Sequence, residues 1–105
     1  MTPIETPLTE AFYYILLAVR KPNYGYGITQ EVSDLTGGRV QLGAGTLYGA
    51  LQTLEKRKWI EIFSEDTTSR KKKEYLITEL GKEAFEKERT RLEELVNNGK
   101  LMEEK

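Results

Sequence analysis

The sequence predicts a mainly α-helical fold with one small β-hairpin, and three observations carry that prediction. Apolar residues recur at helical spacing in several separate stretches. Two short runs, Trp59–Phe63 and Lys73–Ile77, are rich in β-branched and aromatic residues without that helical spacing. The polar run between them, Ser64 to Lys72, is short enough to join them as a hairpin. A chain of 105 residues forms one compact unit, burying roughly 60–65% of the surface its unfolded state exposes.

The first helix runs from Thr6 or Thr9 to Arg20. Thr6 before Pro7 offers a hydroxyl cap and a proline at the first helical position. Leu8, Ala11, Phe12, Ile15, Leu16 and Val19 follow at i, i+3, i+4 spacing, while Tyr13, Tyr14, Leu17 and Ala18 fill most of the other side. A helix apolar nearly all round is covered on two sides. One of those sides is expected to meet a partner subunit, through Leu8, Phe12 and Leu16.

Lys21 to Gly25 reads as a turn, with Pro22 stopping the helix. A second helix spans Gly27 to Leu35, with Ile28, Val32 and Leu35 on one stripe, and ends at Gly37-Gly38. After the linker Arg39–Leu42, Gly43 and Gly45 open a third helix that buries Leu47, Ala50, Leu51 and Leu54. Its opposite face holds Gly45, Gly49, Gln52, Thr53 and Lys56, flanked by Thr46 and Tyr48, with no acidic residue before Glu55. The hairpin follows, with a basic tip at Arg70-Lys71-Lys72, and Trp59 plugs its base onto the helices.

Thr78 caps a last helix reaching about Asn98, although Gly81 stands where a full capping box has an acid. Its apolar positions are Leu80, Ala84, Phe85, Leu92, Leu95 and Val96, with Glu88 interrupting the stripe. Asn97-Asn98-Gly99 ends it, and a frayed tail runs to Lys105. A long helix with nothing after it to cover its apolar side needs a partner, usually a second copy. Phe85, Leu92, Leu95 and Val96 therefore join the dimer interface.

Composition closes most routes to catalysis. With no cysteine and no histidine, disulfides, thiol nucleophiles, Cys/His zinc sites and Ser-His-Asp triads are excluded. No enzyme activity, cofactor or metal is expected. The apolar stretch Ala11–Val19 is too short to span a bilayer, so the expectation is a cytoplasmic protein without membrane contact. Net charge is −1, a poor advertisement for a nucleic-acid binder. The charge is unevenly placed, however. Residues 1–38 carry 2 basic and 4 acidic side chains, residues 39–75 carry 8 and 5, and residues 76–105 carry 6 and 8. The basic excess falls on the third helix and the hairpin.

Helix, short helix, helix, then a basic-tipped hairpin is the winged helix-turn-helix order. The third helix would enter a major groove with its first turns toward the bases, and the wing would reach the adjacent backbone or minor groove. Gln41, Gly45, Thr46, Tyr48, Gln52 and Lys56 are the candidate contacts on the third helix and its approach. Tyr24 and Tyr26 would bond phosphate through their hydroxyls, and Arg70, Lys71, Lys72 and Lys73 through charge. The bland readings are an ordinary helix start for Thr46, half-buried packing for Tyr48, core packing under the turn for at least one of Tyr24 and Tyr26, and a solvated loop for the basic run. Gly43-x-Gly45-Thr46 lacks the Lys-Ser/Thr of a phosphate-binding P-loop and any preceding strand. Residues 1–77 form the DNA-binding unit, to whose dimer contacts the first helix adds, and 78–105 the dimerisation helix and tail.

Several runs are also familiar: Ile15-Leu16-Leu17, Tyr24-Gly25-Tyr26-Gly27-Ile28, Gly38-Arg39-Val40 and, above all, Leu42-Gly43-Ala44-Gly45-Thr46-Leu47-Tyr48-Gly49-Ala50-Leu51. Leu54-Glu55-Lys56, Ile60-Glu61, Arg70-Lys71-Lys72, Tyr75 and Leu76-x-Thr78-Glu79-x-Gly81 continue in register. Over nearly its whole length the chain resembles the short, single-domain branch of the PadR family of transcriptional regulators. The resemblance implies a homodimeric repressor of an inverted-repeat operator in double-stranded DNA, dimerised by the last helix and released by a small effector. Tyr13, Tyr14, Arg89 and Leu92 are the candidate effector contacts. Two departures stand out. Lys58 occupies a position usually held by glycine, so either the backbone there is left-handed or the helix runs longer. The stretch Arg89–Leu92 also lacks the aromatic residue that some members use to stack flat drugs. The competing reading is a winged-helix module that binds a protein partner and no DNA.

Overall fold

The computed structural model describes residues 7–66 and 72–103. Helix α1 spans Glu10–Ala18, strand β1 Asn23–Tyr24, α2 Gly25–Leu35, α3 Ala44–Lys56, β2 Ile60–Asp66, β3 Lys72–Ile77 and α4 Glu79–Glu103. This is the mainly helical winged helix-turn-helix order with a long final helix. The expected two-stranded hairpin is part of a three-stranded antiparallel sheet, in the order β1-β3-β2.

Of the two candidate starts for α1, Thr9 is the N-cap: its hydroxyl accepts from the Phe12 amide at 3.0 Å. Thr6 lies outside the described residues. The helix stops at Ala18, before Arg20, because its last carbonyls are taken by other elements. Asn23 Nδ2 donates to Ala18 O at 3.0 Å, and the Ile77 amide of β3 donates to Val19 O at 2.9 Å. The segment read as a turn thus contains β1, with Asn23 opposite Tyr75 and Tyr24 opposite Glu74. Helix α2 starts at Gly25, two residues earlier than its stripe suggests.

Ile15, Leu16, Val19, Ile28, Val32, Leu51, Leu54 and Ile60 are almost fully buried and join α1, α2, α3 and the sheet into one core, with Trp59 at 3% exposure beside them. Two expectations need correction. Leu35, on the last turn of α2, is 54% exposed and is not core. Leu16 is 0% exposed, so it has no surface left for a partner subunit. The all-apolar helix α1 is covered mainly by its own chain.

Helices α2 and α3 close alike. After α2, the Gly37 and Gly38 amides donate to Asp34 O and Ser33 O, with Gly37 at φ 60°. After α3, the Lys58 and Trp59 amides donate to Glu55 O and Leu54 O, and Lys58 sits at φ 64°. The left-handed alternative at Lys58 therefore holds. A side chain in that conformation costs roughly 1 kcal/mol. Lys58→Gly should accordingly raise the unfolding free energy by about 1 kcal/mol, measured as a higher urea midpoint with an unchanged slope.

Thr78 caps α4, its oxygen accepting from the Gly81 amide at 3.0 Å while its hydroxyl donates to Lys58 O at 2.7 Å. The missing acid of the capping box has a steric cause. A Cβ at Gly81 would collide with the Trp59 carbonyl and lie 2.8 Å from Ile77 Cγ1. At the other end, α4 continues through Asn97-Asn98-Gly99 to Glu103, past the expected stop. One helical glycine costs only about 1 kcal/mol, and no proline follows to force an end.

Glu88 does not merely interrupt the α4 stripe. It is 1% exposed and fully satisfied: the Leu8 amide donates to Oε2 at 3.0 Å, and Arg91 Nε and Nη2 donate to Oε1 and Oε2, each at 2.8 Å. The Arg91 fork, with the Leu8 amide, outweighs burial and holds the carboxyl below its ordinary value of 4.5. A lowered carboxylate pKa stabilises the fold above the unfolded value, and that contribution is lost as pH falls through the folded one. Wild type should therefore melt above Glu88→Gln at neutral pH, and the gap should close on acidification below 4.5.

Candidate nucleic-acid interface

Helix α3 buries Leu47, Ala50, Leu51 and Leu54 and turns the rest of its circumference outward. Between this face, the start of α2 and the wing runs a groove of about 690 Å³. Five of the predicted DNA contacts line it: Tyr24, Tyr26, Tyr48, Gln52 and Lys72.

Local packing explains how they meet. Asn23 Nδ2 donates to Ala18 O and to Glu31 Oε1, while its Oδ1 accepts from the Tyr24 amide at 2.9 Å. Glu31 is in turn held by Arg20 at 2.8 Å. This network fixes the backbone that carries Tyr24. The Lys72 ammonium sits 5.0 Å from the Tyr24 ring centroid, so the tyrosine face holds the wing cation. Tyr48 lies across the start of α2 because Gly25 leaves room: a Cβ there would strike its phenol oxygen. Half of Tyr48 remains exposed, so the ring is partly packed and keeps one side open to the groove. Tyr26, at 68%, is not a core residue.

The start of α3 is open. Gly43 caps it without a side-chain oxygen, and Ala44, Gly45 and Thr46 are exposed, leaving amides directed outward at the positive end of the helix dipole. A Cβ at Gly45 or Gly49 would meet nothing, so packing within the chain does not require glycine at either place.

Other candidates lie apart. Gln41 is exposed but turned back, its amide donating to Gly38 O at 3.1 Å. Lys56 is exposed on the last turn of α3, roughly 15 Å along the axis from Thr46, and does not line the groove. Arg70 and Lys71 lie outside the described residues.

Lys73, the last residue of the basic run, also lines the groove. Two polar lining residues were missed, Glu55 and Tyr75. Tyr75 reads locally as strand, yet period-2 alternation puts it on the same face of β3 as Lys73. Burial, then the nearby Glu55 carboxylate, pushes the Tyr75 phenol above its ordinary value, so it remains a protonated donor.

The residues assigned to dimerisation divide. Leu92, Leu95 and Val96 are exposed on α4 at 37%, 54% and 55%. Leu8, Phe12 and Phe85 are half-buried against the core. Among the effector candidates, Tyr13 stacks on Phe85 with centroids 4.6 Å apart and meets Tyr14 edge-on at 6.0 Å. Arg89 is paired with Glu86 and Glu93. No described helix is long and apolar enough to cross a membrane.

Comparison with known proteins agrees with this architecture. Residues 15–87 match the model of the transcriptional regulator PadR-like family. A 67-residue stretch is 43% identical to an uncharacterized protein of Lysinibacillus sphaericus, covering 63% of this chain and 62% of that protein. A PadR family transcriptional regulator from Eggerthella lenta superposes with a TM-score of 0.76 at 25% identity, over 88% of this chain and 80% of that one. A PadR family transcription regulator from Clostridium difficile superposes at 0.68 and 28% identity, over 89% and 99%. The winged helix-turn-helix, the glycine-opened third helix and the matched residues place the chain in one group: it belongs to the PadR-like family of transcriptional regulators.

Proposed function

We propose that the protein is a cytoplasmic, homodimeric repressor that binds an inverted-repeat operator in double-stranded DNA. The observation that carries this reading is the convergence of the outer α3 face, two tyrosines from the start of α2 and two wing lysines on one groove. In this reading residues 1–77 bind DNA and 78–105 dimerise, with Leu92, Leu95 and Val96 meeting their counterparts on a second copy. Thr46 and Tyr48 reach base edges, while Tyr24, Tyr26 and the wing cations Arg70, Lys71, Lys72 and Lys73 hold phosphates. A small effector between subunits, near Tyr13, Tyr14, Arg89 and Leu92, releases DNA by favouring a dimer whose recognition helices no longer fit the half-sites.

Gly49 supplies the test. In an exposed helix interior with free space above it, Gly49→Ala should stabilise the fold by about 1 kcal/mol. If DNA lies against that face, the same methyl should weaken operator binding. Urea unfolding and a mobility-shift titration on the same preparation read both. A more stable variant with unchanged affinity would contradict the placement of DNA on α3. Failure of the wild type to shift any genomic fragment would favour the protein-binding module.

A further inference from the structure

Glu88 marks the point where α4 leaves the body of the protomer. Before it, Gly81 and Ala84 are buried and Phe85 is stacked on Tyr13. After it, every residue to Glu103 is exposed except Arg91, which is partly covered. At that exit sits the one charged side chain buried among the described residues, and its partner comes from 80 positions away, the backbone amide of Leu8 just before α1. Arg91, one turn further along α4, closes the node with two parallel bonds. Apolar contacts tolerate sliding, whereas a buried carboxylate with both oxygens occupied is satisfied in one arrangement only.

We infer that Glu88 is a positioning residue, fixing the angle at which α4 leaves the winged-helix body and thereby the separation of the two recognition helices in the dimer. This rests on the dimeric, DNA-binding reading above. The free part of α4, from Arg89 to Glu103, is a lever of roughly 22 Å, so a tilt of about 10° at Glu88 moves its end by about 4 Å. Recognition helices must match half-sites about 34 Å apart, and an error of that size spans more than one base pair. Glu88→Gln keeps the shape of the side chain but sets an NH2 group against either Arg91 or the Leu8 amide.

The chain has no cysteine, so Gln52→Cys carries a single spin label on α3. Pulsed electron resonance without DNA then reads the distance between the two labels of a dimer. The wild type should give one narrow distribution. Glu88→Gln should remain dimeric by light scattering, yet its distribution should widen about twofold. On unlabelled protein, the penalty for adding one base pair between half-sites should fall roughly tenfold, while binding to random DNA and its salt dependence stay as in wild type. If Glu88→Gln does not fold, the double change Glu88→Leu and Arg91→Leu removes the polar tie while refilling the space, and the same widening is expected. An unchanged distribution and unchanged spacing preference in a folded, dimeric variant would overturn the role of Glu88. A wild type giving no distance between labels would overturn the dimeric reading itself, before any variant is compared.

Discussion

Replacing Lys72 and Lys73 together with alanine should weaken binding to operator and to random DNA alike, on the order of a hundredfold at low salt. Both lysines line the groove between α3 and the wing, and Lys72 is held over the Tyr24 ring. Each phosphate contact releases condensed counterions, contributing about 0.9 to the slope of log affinity against log salt. With two lysines in each of two subunits, the slope should fall by about 3 to 4. Because phosphate contacts carry no sequence information, the ratio of operator to random affinity should change little. Fluorescence anisotropy at several salt concentrations checks all three points. A loss confined to the operator would mean that the lysines read bases instead.

Gly81→Ala should lower the unfolding free energy by about 2 to 3 kcal/mol. The added methyl would press on a backbone carbonyl, that of Trp59, and on Ile77, neither of which has a flexible end to swing away. Relief requires the start of α4 to move off the base of the wing. That motion would break two bonds in the same junction, Thr78 N–H to Trp59 O at 2.9 Å and Thr78 Oγ1 to Lys58 O at 2.7 Å. Chemical denaturation gives the size of the effect. A variant as stable as wild type would show that the junction is looser than its distances indicate.

The order of the elements was legible because periodicity is local: Ile28 and Val32, or Leu47, Leu51 and Leu54, announce their helices within a few residues. What stayed hidden depends on partners distant in sequence. A two-residue strand has no period, so β1 emerges only when Asn23 and Tyr24 pair with β3, some fifty positions later. Glu88 looked like a flaw in an apolar stripe because its amide partner at Leu8 is 80 residues away. Leu16 looked like interface because helical spacing counts apolar sides without saying which neighbour covers each. Gly81 looked like a defective capping box until the Trp59 carbonyl came into view above it.

The candidate site was partly legible for the same reason. Residue type pointed to the tyrosines, to Gln52 and to Lys72, and the fold gathers them. Glu55 and Tyr75 join the groove only when folding sets the wing beside α3, which no local pattern shows. Charge behaved similarly: a net of −1 concealed a basic stretch at residues 39–75, and folding sets two of its lysines beside the exposed helix.

When bound sequences are selected from a random double-stranded DNA pool, one inverted repeat should be enriched, its half-site centres one helical turn, about 34 Å, apart along the duplex or a small multiple of that distance. A pool that returns no enriched sequence, with protein that is folded and dimeric, would contradict operator binding.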